Sequence, residues 1–207
     1  MGVDAGVLPA AMSTLATNGK TKGNPRGSGY QRAERDLYVE PEWAVEALID
    51  SEDAMIGLEP DAFPEPIWDP ACGTGTIPRV FNRRGFLSYG TDLATGHDFL
   101  DRSFYPPELF GSLVCNPPFK SAEAFIERAL DPGLGLEVAA FLLRLAFLEG
   151  QERRKMFERT PLARVLVFSK RVSMPPPGTK QVGGAVAFAW FVWRRGHVGP
   201  PTIGWLP

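Results

Sequence analysis

The chain has 207 residues, with 22 Lys and Arg against 24 Asp and Glu, which allows one domain with a full core and excludes two ordinary domains plus linkers. Near-balanced charge excludes a polyanionic partner recognised through whole-molecule charge, so any nucleic-acid contact must come from local basic clusters. The two cysteines, Cys72 and Cys115, lack paired spacings, which argues against a disulfide scaffold or a metal site and suits a reducing cytoplasm. The apolar run AVAFAWFVW at 185–193 is about half a membrane span, so no membrane association is expected.

Residues 1–28 are rich in Gly, Ala, Ser, Thr and Asn, lack apolar periodicity and carry scattered Lys20, Lys22 and Arg26. A mobile tail is expected there, followed by one catalytic-sized domain over 29–207. In DLYVEPEWAVEALID, Pro41 suits a first helical turn and Trp43, Val45, Ala47 and Leu48 can face a core, giving a short helix after an extended entry. PIWDPACGTGTIPRVFNRRG reads as strand, glycine-rich turn and helix, with Gly85 as the stop. FLSYGTDL and GSLVCN read as further strands. A helix (SAEAFIERAL), an apolar strand (VAAFLLRL), a charged helix (EGQERRKMFERT) and a strand (RVLVFSK) follow, then a proline-rich loop and the final apolar strand. Alternating helices and continuous apolar strands predict an α/β fold: a mostly parallel sheet with helices on both faces. The last two strands lack an intervening helix and are expected to form an antiparallel C-terminal edge.

In such sheets ligands bind beyond the carboxyl ends of the strands. At the first of these, DPACGTGT, Gly73 and Gly75 allow a tight turn and close approach to backbone amides, while Asp69 presents a carboxylate. Pro78 stands where a dinucleotide fingerprint has its third glycine, and no Gly-Lys-Ser/Thr follows, so neither nucleotide loop fits. Asp92 ends the second strand, where an acid can accept from ribose hydroxyls or simply cap a turn. Asp98, in GHDF, can accept from an exocyclic amine. In VCNPPFK, Pro117 and Pro118 end any strand and hold a stiff turn beside the Phe119 ring. Acceptors next to a flat ring would grip something planar that donates protons; the plainer reading is a strand terminator.

DPACGTGT followed by CNPPF closely resembles the S-adenosylmethionine-dependent amino-methyltransferases, in particular the DNA adenine-N6 methyltransferases in their compact phage-like or bacterial form. DLYVEPEWAVEAL resembles their N-terminal cofactor segment, with Glu40-Pro41 where Thr-Pro is usual. The motif match covers roughly residues 36–120, and the strand pattern extends it to Trp193. The resemblance implies a Rossmann-like methyltransferase fold with S-adenosyl-L-methionine as cofactor. It places Tyr38, Pro41, Asp69, Ala71, Gly73, Gly75, Asp92, Asp98 and Asn116 around that cofactor, with Asp92 on the ribose and Asp98 on the adenine amine. It gives Asn116, Pro117, Pro118 and Phe119 the catalytic turn: the Asn116 oxygen and Pro117 carbonyl would accept the amino protons of the target and Phe119 would stack on the base. Cys115 reads as a buried structural thiol rather than a nucleophile, and Cys72 as packing under the loop.

The same turn serves enzymes that methylate RNA, at adenine N6 or guanine N2, or glutamine in proteins, and a non-catalytic cofactor-binding module is the reading from another class. The short polar N-terminus does not supply the helical domain that release-factor enzymes usually carry, so nucleic acid is the expected partner, DNA ahead of RNA. No target-recognition domain fits after Phe119. Specificity is expected from loops, a homo-oligomer or a partner subunit, and Lys120, Lys170, Arg171 and Lys180 are the candidate phosphate ligands, three of them in the loop 169–185.

Overall fold

The computed structural model describes residues 38–51, 63–103, 110–174, 184 and 186–207. The expected tail at 1–28 and Lys180 lie outside them. Helix α1 (Glu42–Ile49) starts at Pro41, which stands just before the helix in an extended conformation rather than inside its first turn. It buries Ala44, Val45, Ala47, Leu48 and Ile49, with Trp43 half-buried. Strand β1 (Ile67–Asp69) leads through the glycine turn into α2 (Thr76–Arg83). Pro78 is tolerated there because a first-turn residue has no intrahelical acceptor to lose. Gly85, at φ 91°, ends the helix. The Asn82 amide then exchanges two hydrogen bonds with the Ser88 backbone (2.9 and 3.0 Å), which delivers the chain into β2 (Ser88–Gly90).

β3 (Ser112–Cys115), α3 (Ala122–Ala129), β4 (Val138–Arg144), α4 (Gln151–Arg159), β5 (Leu162–Phe168) and β6 (Phe188–Arg194) follow in the expected order. A further strand, β7 (Thr202–Leu206), goes beyond the expected elements. TIGWL is five residues split by a glycine, too short and too irregular in polarity to show a period.

The seven strands run β2-β1-β3-β4-β6-β5-β7. All are parallel to one another except β6, which is antiparallel to both β4 (Val138↔Arg194 to Arg144↔Phe188) and β5. The expected antiparallel pairing of the last two long strands is therefore present, but β6 is inserted inside the sheet, and β7, parallel to β5, forms that edge. β1, β3, β4 and β6 are buried almost throughout, as strands covered on both faces must be. One core layer joins α1 and α2 to the sheet through Leu48, Ile77, Phe81, Val114, Leu142 and Trp190, whose Nε1 donates to the Ala44 carbonyl at 2.9 Å. The opposite layer packs α3 and α4 through Phe125, Ile126, Met156, Phe141, Phe191 and Trp193. Among the described residues no helix is long and apolar enough to cross a membrane.

Candidate active site

The carboxyl ends of β1, β2, β3 and β4 converge on one rim of the sheet. At the end of β1 the Asp69 side chain is buried, accepting from the Ala71 amide (3.2 Å) and hydrogen-bonded to the Cys115 thiol. Burial holds its carboxyl well above the usual carboxylate range, and the nearby charges of Glu40 and Asp92 push in the same direction. The turn that follows needs its glycines. Gly73 has φ 49° and Gly75 φ 76°, the left-handed region costly for other residues, and a Cβ built on Gly75 would point into open space. Conformation, not crowding, demands Gly75.

Asp92 locks this turn from β2: its Oδ2 accepts from the Gly73 amide (2.9 Å) and its Oδ1 from the Ala94 amide (2.8 Å). It thus caps the short 3₁₀ turn at Leu93–Thr95. Each carboxylate oxygen keeps a second lone pair for an incoming hydroxyl. Gly90 permits the approach of the two segments, since a Cβ there would lie 2.6 Å from the Cys72 Cβ. Cys72 is half-buried under the loop, its thiol pushed up to about 11 by burial and then by the Asp69 and Asp92 charges. Cys115 is fully buried and its thiol is held well above the usual range, by burial first and then by the Asp69 charge, so neither sulfur is a thiolate nucleophile. Asp98 stands apart: it is exposed and its Oδ1 accepts from the Leu100 amide at 2.9 Å, a turn within its own loop.

β3 ends at Cys115 and the chain enters Asn116-Pro117-Pro118-Phe119. The Asn116 Nδ2 donates to the Tyr38 carbonyl and to Glu40 Oε2, both at 2.9 Å, with Met174 Sδ 3.7 Å away. With its protons on two strong acceptors, the amide must turn Oδ1 the other way, because reversing it would set oxygen against oxygen. The Pro118 carbonyl accepts from Ser121 N (2.9 Å) ahead of α3, whereas the Pro117 carbonyl is used by no turn or cap bond among the described residues. Phe119 is half-buried, stacked on Tyr38 (centroids 5.5 Å, 27°) and tilted against Phe188 (5.8 Å), with the Arg144 guanidinium 4.6 Å from its centre. The turn therefore offers an amide oxygen and a carbonyl beside a ring that three neighbours hold in place.

Charge on this rim is arranged differently from that on the helical flanks. On the helical flanks, Arg79 and Arg83 pair with Glu42, Arg83 with Glu46, Arg84 with Asp50, Arg153 with Glu123 and Arg159 with Glu127. Lys120, Arg144, Lys170 and Arg171, all exposed at the carboxyl ends of β3, β4 and β5, have no carboxylate partner among the described residues. Lys170 instead lies 4.0 Å over the Trp43 ring.

The structure thus sets three groups along one rim, Asp69 with Ala71, Gly73 with Asp92, and Tyr38 with Asn116 and Phe119, with Pro41 and Gly75 beside them. It does not bring Asp98 into contact with them. Two members escape the sequence reading. Glu40 figures there only as a departure from Thr-Pro, and the signal is its place beside Tyr38 in the entry segment. Arg144 is the one charged residue of an otherwise apolar strand, at the end where ligands bind. A groove of about 630 Å³ beside Phe157, Thr160, Pro161 and His197 lies near the start of β5, away from this cluster, and gathers no comparable convergence of buried polar groups.

No family model matches the chain, and no curated protein matches it. Among solved structures it is similar to a protein assigned as the modification subunit of a type I restriction enzyme from Vibrio vulnificus, at TM-score 0.52 and 16% identity over 80% of this chain and 45% of that one. It is similar to a protein assigned as an RNA methyltransferase from Pyrococcus horikoshii (TM-score 0.51, 13% identity, 81% and 91% covered). It is also similar to DrdV in its complex with DNA (0.51, 11%, 89% and 28%). The chain spans less than half of the first and third of these. At such identities the common property is architecture, and the architecture is the Rossmann-like methyltransferase fold.

Proposed function

We propose that the protein is an S-adenosylmethionine-dependent amino-methyltransferase whose target is adenine N6 in DNA. One observation carries the reading: the Asn116 amide, with both protons engaged by Tyr38 and Glu40, keeps Oδ1 for an incoming donor, next to the Pro117 carbonyl and the Phe119 ring. An exocyclic amino group is a poor nucleophile while its lone pair is delocalised into the ring. Two acceptors that take both its protons favour a pyramidal nitrogen with that lone pair free, and a fixed ring sets the base plane. Such a site works by positioning and by electrostatics rather than by a strong base.

The cofactor pocket is assigned to the tips of β1 and β2. Gly73 and Gly75 leave backbone free of Cβ atoms there, Asp92 retains lone pairs for ribose hydroxyls, and buried Asp69 underlies the turn. When bound, S-adenosylmethionine supplies an electrophilic methyl on a sulfonium. Asn116 Oδ1 and the Pro117 carbonyl would hold the accepting nitrogen while the methyl passed to it from sulfur, which would keep the bonding pair as a neutral thioether, and the nitrogen's extra proton would go to solvent. Residues 29–207 form the catalytic domain in this reading.

Cations with no carboxylate partner among the described residues favour a polyanion over a glutamine-bearing protein, because binding to lysine and arginine releases the counterions that phosphates otherwise hold. The similarity to a restriction-modification subunit and to DrdV in complex with DNA supports DNA as the first reading, and the similarity to an RNA methyltransferase supports RNA as the second. A flipped base would lose stacking in the duplex and regain part of it on the Phe119 side of the site. The test is to incubate the protein with methyl-labelled S-adenosylmethionine and separate DNA, RNA and protein, then digest the labelled fraction to nucleosides. Label in DNA as N6-methyladenine is expected; label confined to RNA or protein, or N4-methylcytosine as the product, overturns the substrate.

A further inference from the structure

Glu40 is a carboxylate with only 8% of its surface exposed, in the segment that leads into α1. Its surroundings are poor for an anion. Asp69, buried and itself a carboxylate, is close enough to interact with it, as are the Cys72 and Cys115 thiols. Arg79 is the cation that faces it, and the Thr76 hydroxyl and the Asn116 amide are its side-chain donors. Burying one acid beside another costs stability that an apolar residue in the same place would not. That cost points to a role other than holding the fold.

The role follows from the symmetry of an amide. The terminal torsion of asparagine has two wells of similar depth, and turning between them exchanges its donor and acceptor ends. The Tyr38 carbonyl engages one proton and already disfavours the reversed amide, and Glu40 takes the second. Glu40 Oε2, 2.9 Å from the same nitrogen, favours the orientation with nitrogen inward and repels the reverse. We infer that Glu40 is the positioning residue of the catalytic turn: by accepting from Asn116 Nδ2 it keeps Oδ1 aimed at the amino group of the target. The inference rests on the methyltransferase reading, and assigns to the unusual Glu-Pro entry a function in that same site.

An ionised Glu40 also polarises the amide it accepts from, which strengthens Oδ1 as an acceptor. A protonated Glu40 has an O–H to donate, and that proton is satisfied by Asn116 only if the amide turns over, removing Oδ1 from the target. Burial raises the Glu40 carboxyl above its ordinary range. Turnover should therefore fall as pH drops through that raised value, while binding of cofactor and nucleic acid, each carried mainly by contacts other than the Asn116 oxygen, changes much less.

The experiment measures kcat and KM against pH for wild type, Glu40→Gln and Glu40→Leu, on whichever substrate fraction the wild type labels. Glu40→Leu removes the acceptor and should lower kcat about 100-fold, the loss typical of a misplaced reacting group, with both KM values nearly unchanged. Glu40→Gln keeps a carbonyl acceptor of the same reach, so it should recover much of that loss and no longer show the acid limb. Wild-type kcat in Glu40→Leu, equal losses in the two variants, or an acid limb that persists in Glu40→Gln overturns the inference. Side-chain amide NMR of ¹⁵N-labelled protein supplies the arm independent of turnover: the Asn116 Nδ2 resonance should move as Glu40 titrates and stay fixed in Glu40→Gln. An Asn116 resonance indifferent to Glu40 overturns the inference even in an active enzyme. Coupled resonances in a wild type that labels no fraction would instead overturn the methyltransferase reading.

Discussion

Along the outer side of α1 and α2, Arg79, Arg83 and Arg84 each have an acid, whereas the rim a few turns away holds Lys120, Arg144, Lys170 and Arg171 with none among the described residues. Both regions are wet and both are rich in arginine or lysine. The flank pairs, all with substantially exposed partners, close charge locally and leave nothing for a ligand; such pairs contribute little to stability. The rim cations have no such acid among the described residues. The difference separates cations closed by a neighbouring acid from cations without one there, and composition alone, with acids and bases nearly equal, averages it away.

The largest effect is expected at the Asn116-Pro117-Pro118-Phe119 turn. Asn116→Ala should lower turnover at least about 100-fold, as expected when a preorganised partner of the transition state is removed, with cofactor affinity unchanged by calorimetry. Wild-type turnover in this variant would return the Asn-Pro-Pro sequence to a plain strand terminator. Next in size, Asp92→Ala should weaken S-adenosylmethionine binding by about 1–3 kcal/mol, the range for charge-assisted hydrogen bonds. Because Asp92 also fastens the Gly73 amide, part of that loss is disorder of the turn, visible as faster amide exchange at Gly73 in the free protein.

Joint replacement of Arg144, Lys170 and Arg171 by alanine should weaken nucleic-acid binding and flatten its salt dependence, by about one unit of log–log slope for each phosphate that the variant no longer neutralises. The matched control, Glu42→Ala with Glu46→Ala on the flank, should leave that slope unchanged; equal slopes in rim variant and wild type would make the rim ordinary surface. The smallest effect concerns stability. The Asp69 carboxyl is raised in the folded chain, so the fold gains from its protonated form below the unfolded value and loses that gain as pH rises through the folded value. Asp69→Asn has no charge to lose, and its melting temperature should climb relative to wild type as pH rises above the usual carboxylate range. A difference independent of pH would mean that Asp69 keeps an ordinary pKa.

How far the sequence reaches is visible residue by residue. The parallel half is legible because turn residues punctuate it: Gly73 and Gly75 after β1 and Gly85 after α2 all have positive φ. The two long aromatic strands are legible as strands, but their order is not. Nothing in RVLVFSK or AVAFAWFVW says which lies nearer β4, since both are largely buried and the choice is made by tertiary packing. Glu40 escapes for a similar reason. Its neighbours Asn116 and Asp69 are remote in sequence, and a single Glu before a proline reads as helix-entry polarity until the fold closes around it. Arg144 meets the opposite fate, visible in VAAFLLRL as a strand terminus but without meaning until the Phe119 ring arrives beneath it.

The reversed direction of β6 has an architectural consequence. Because β5 rises to Phe168 and β6 descends from Phe188, the segment joining them is anchored at both ends on the rim that carries Asn116. Because both anchors are strand ends, the length or sequence of that segment can change without shifting a ladder register of β5 or β6. If the proposed function holds, chimeras that exchange this connection between related chains should keep methyl transfer, and a change in the methylated target would assign target choice to the connection.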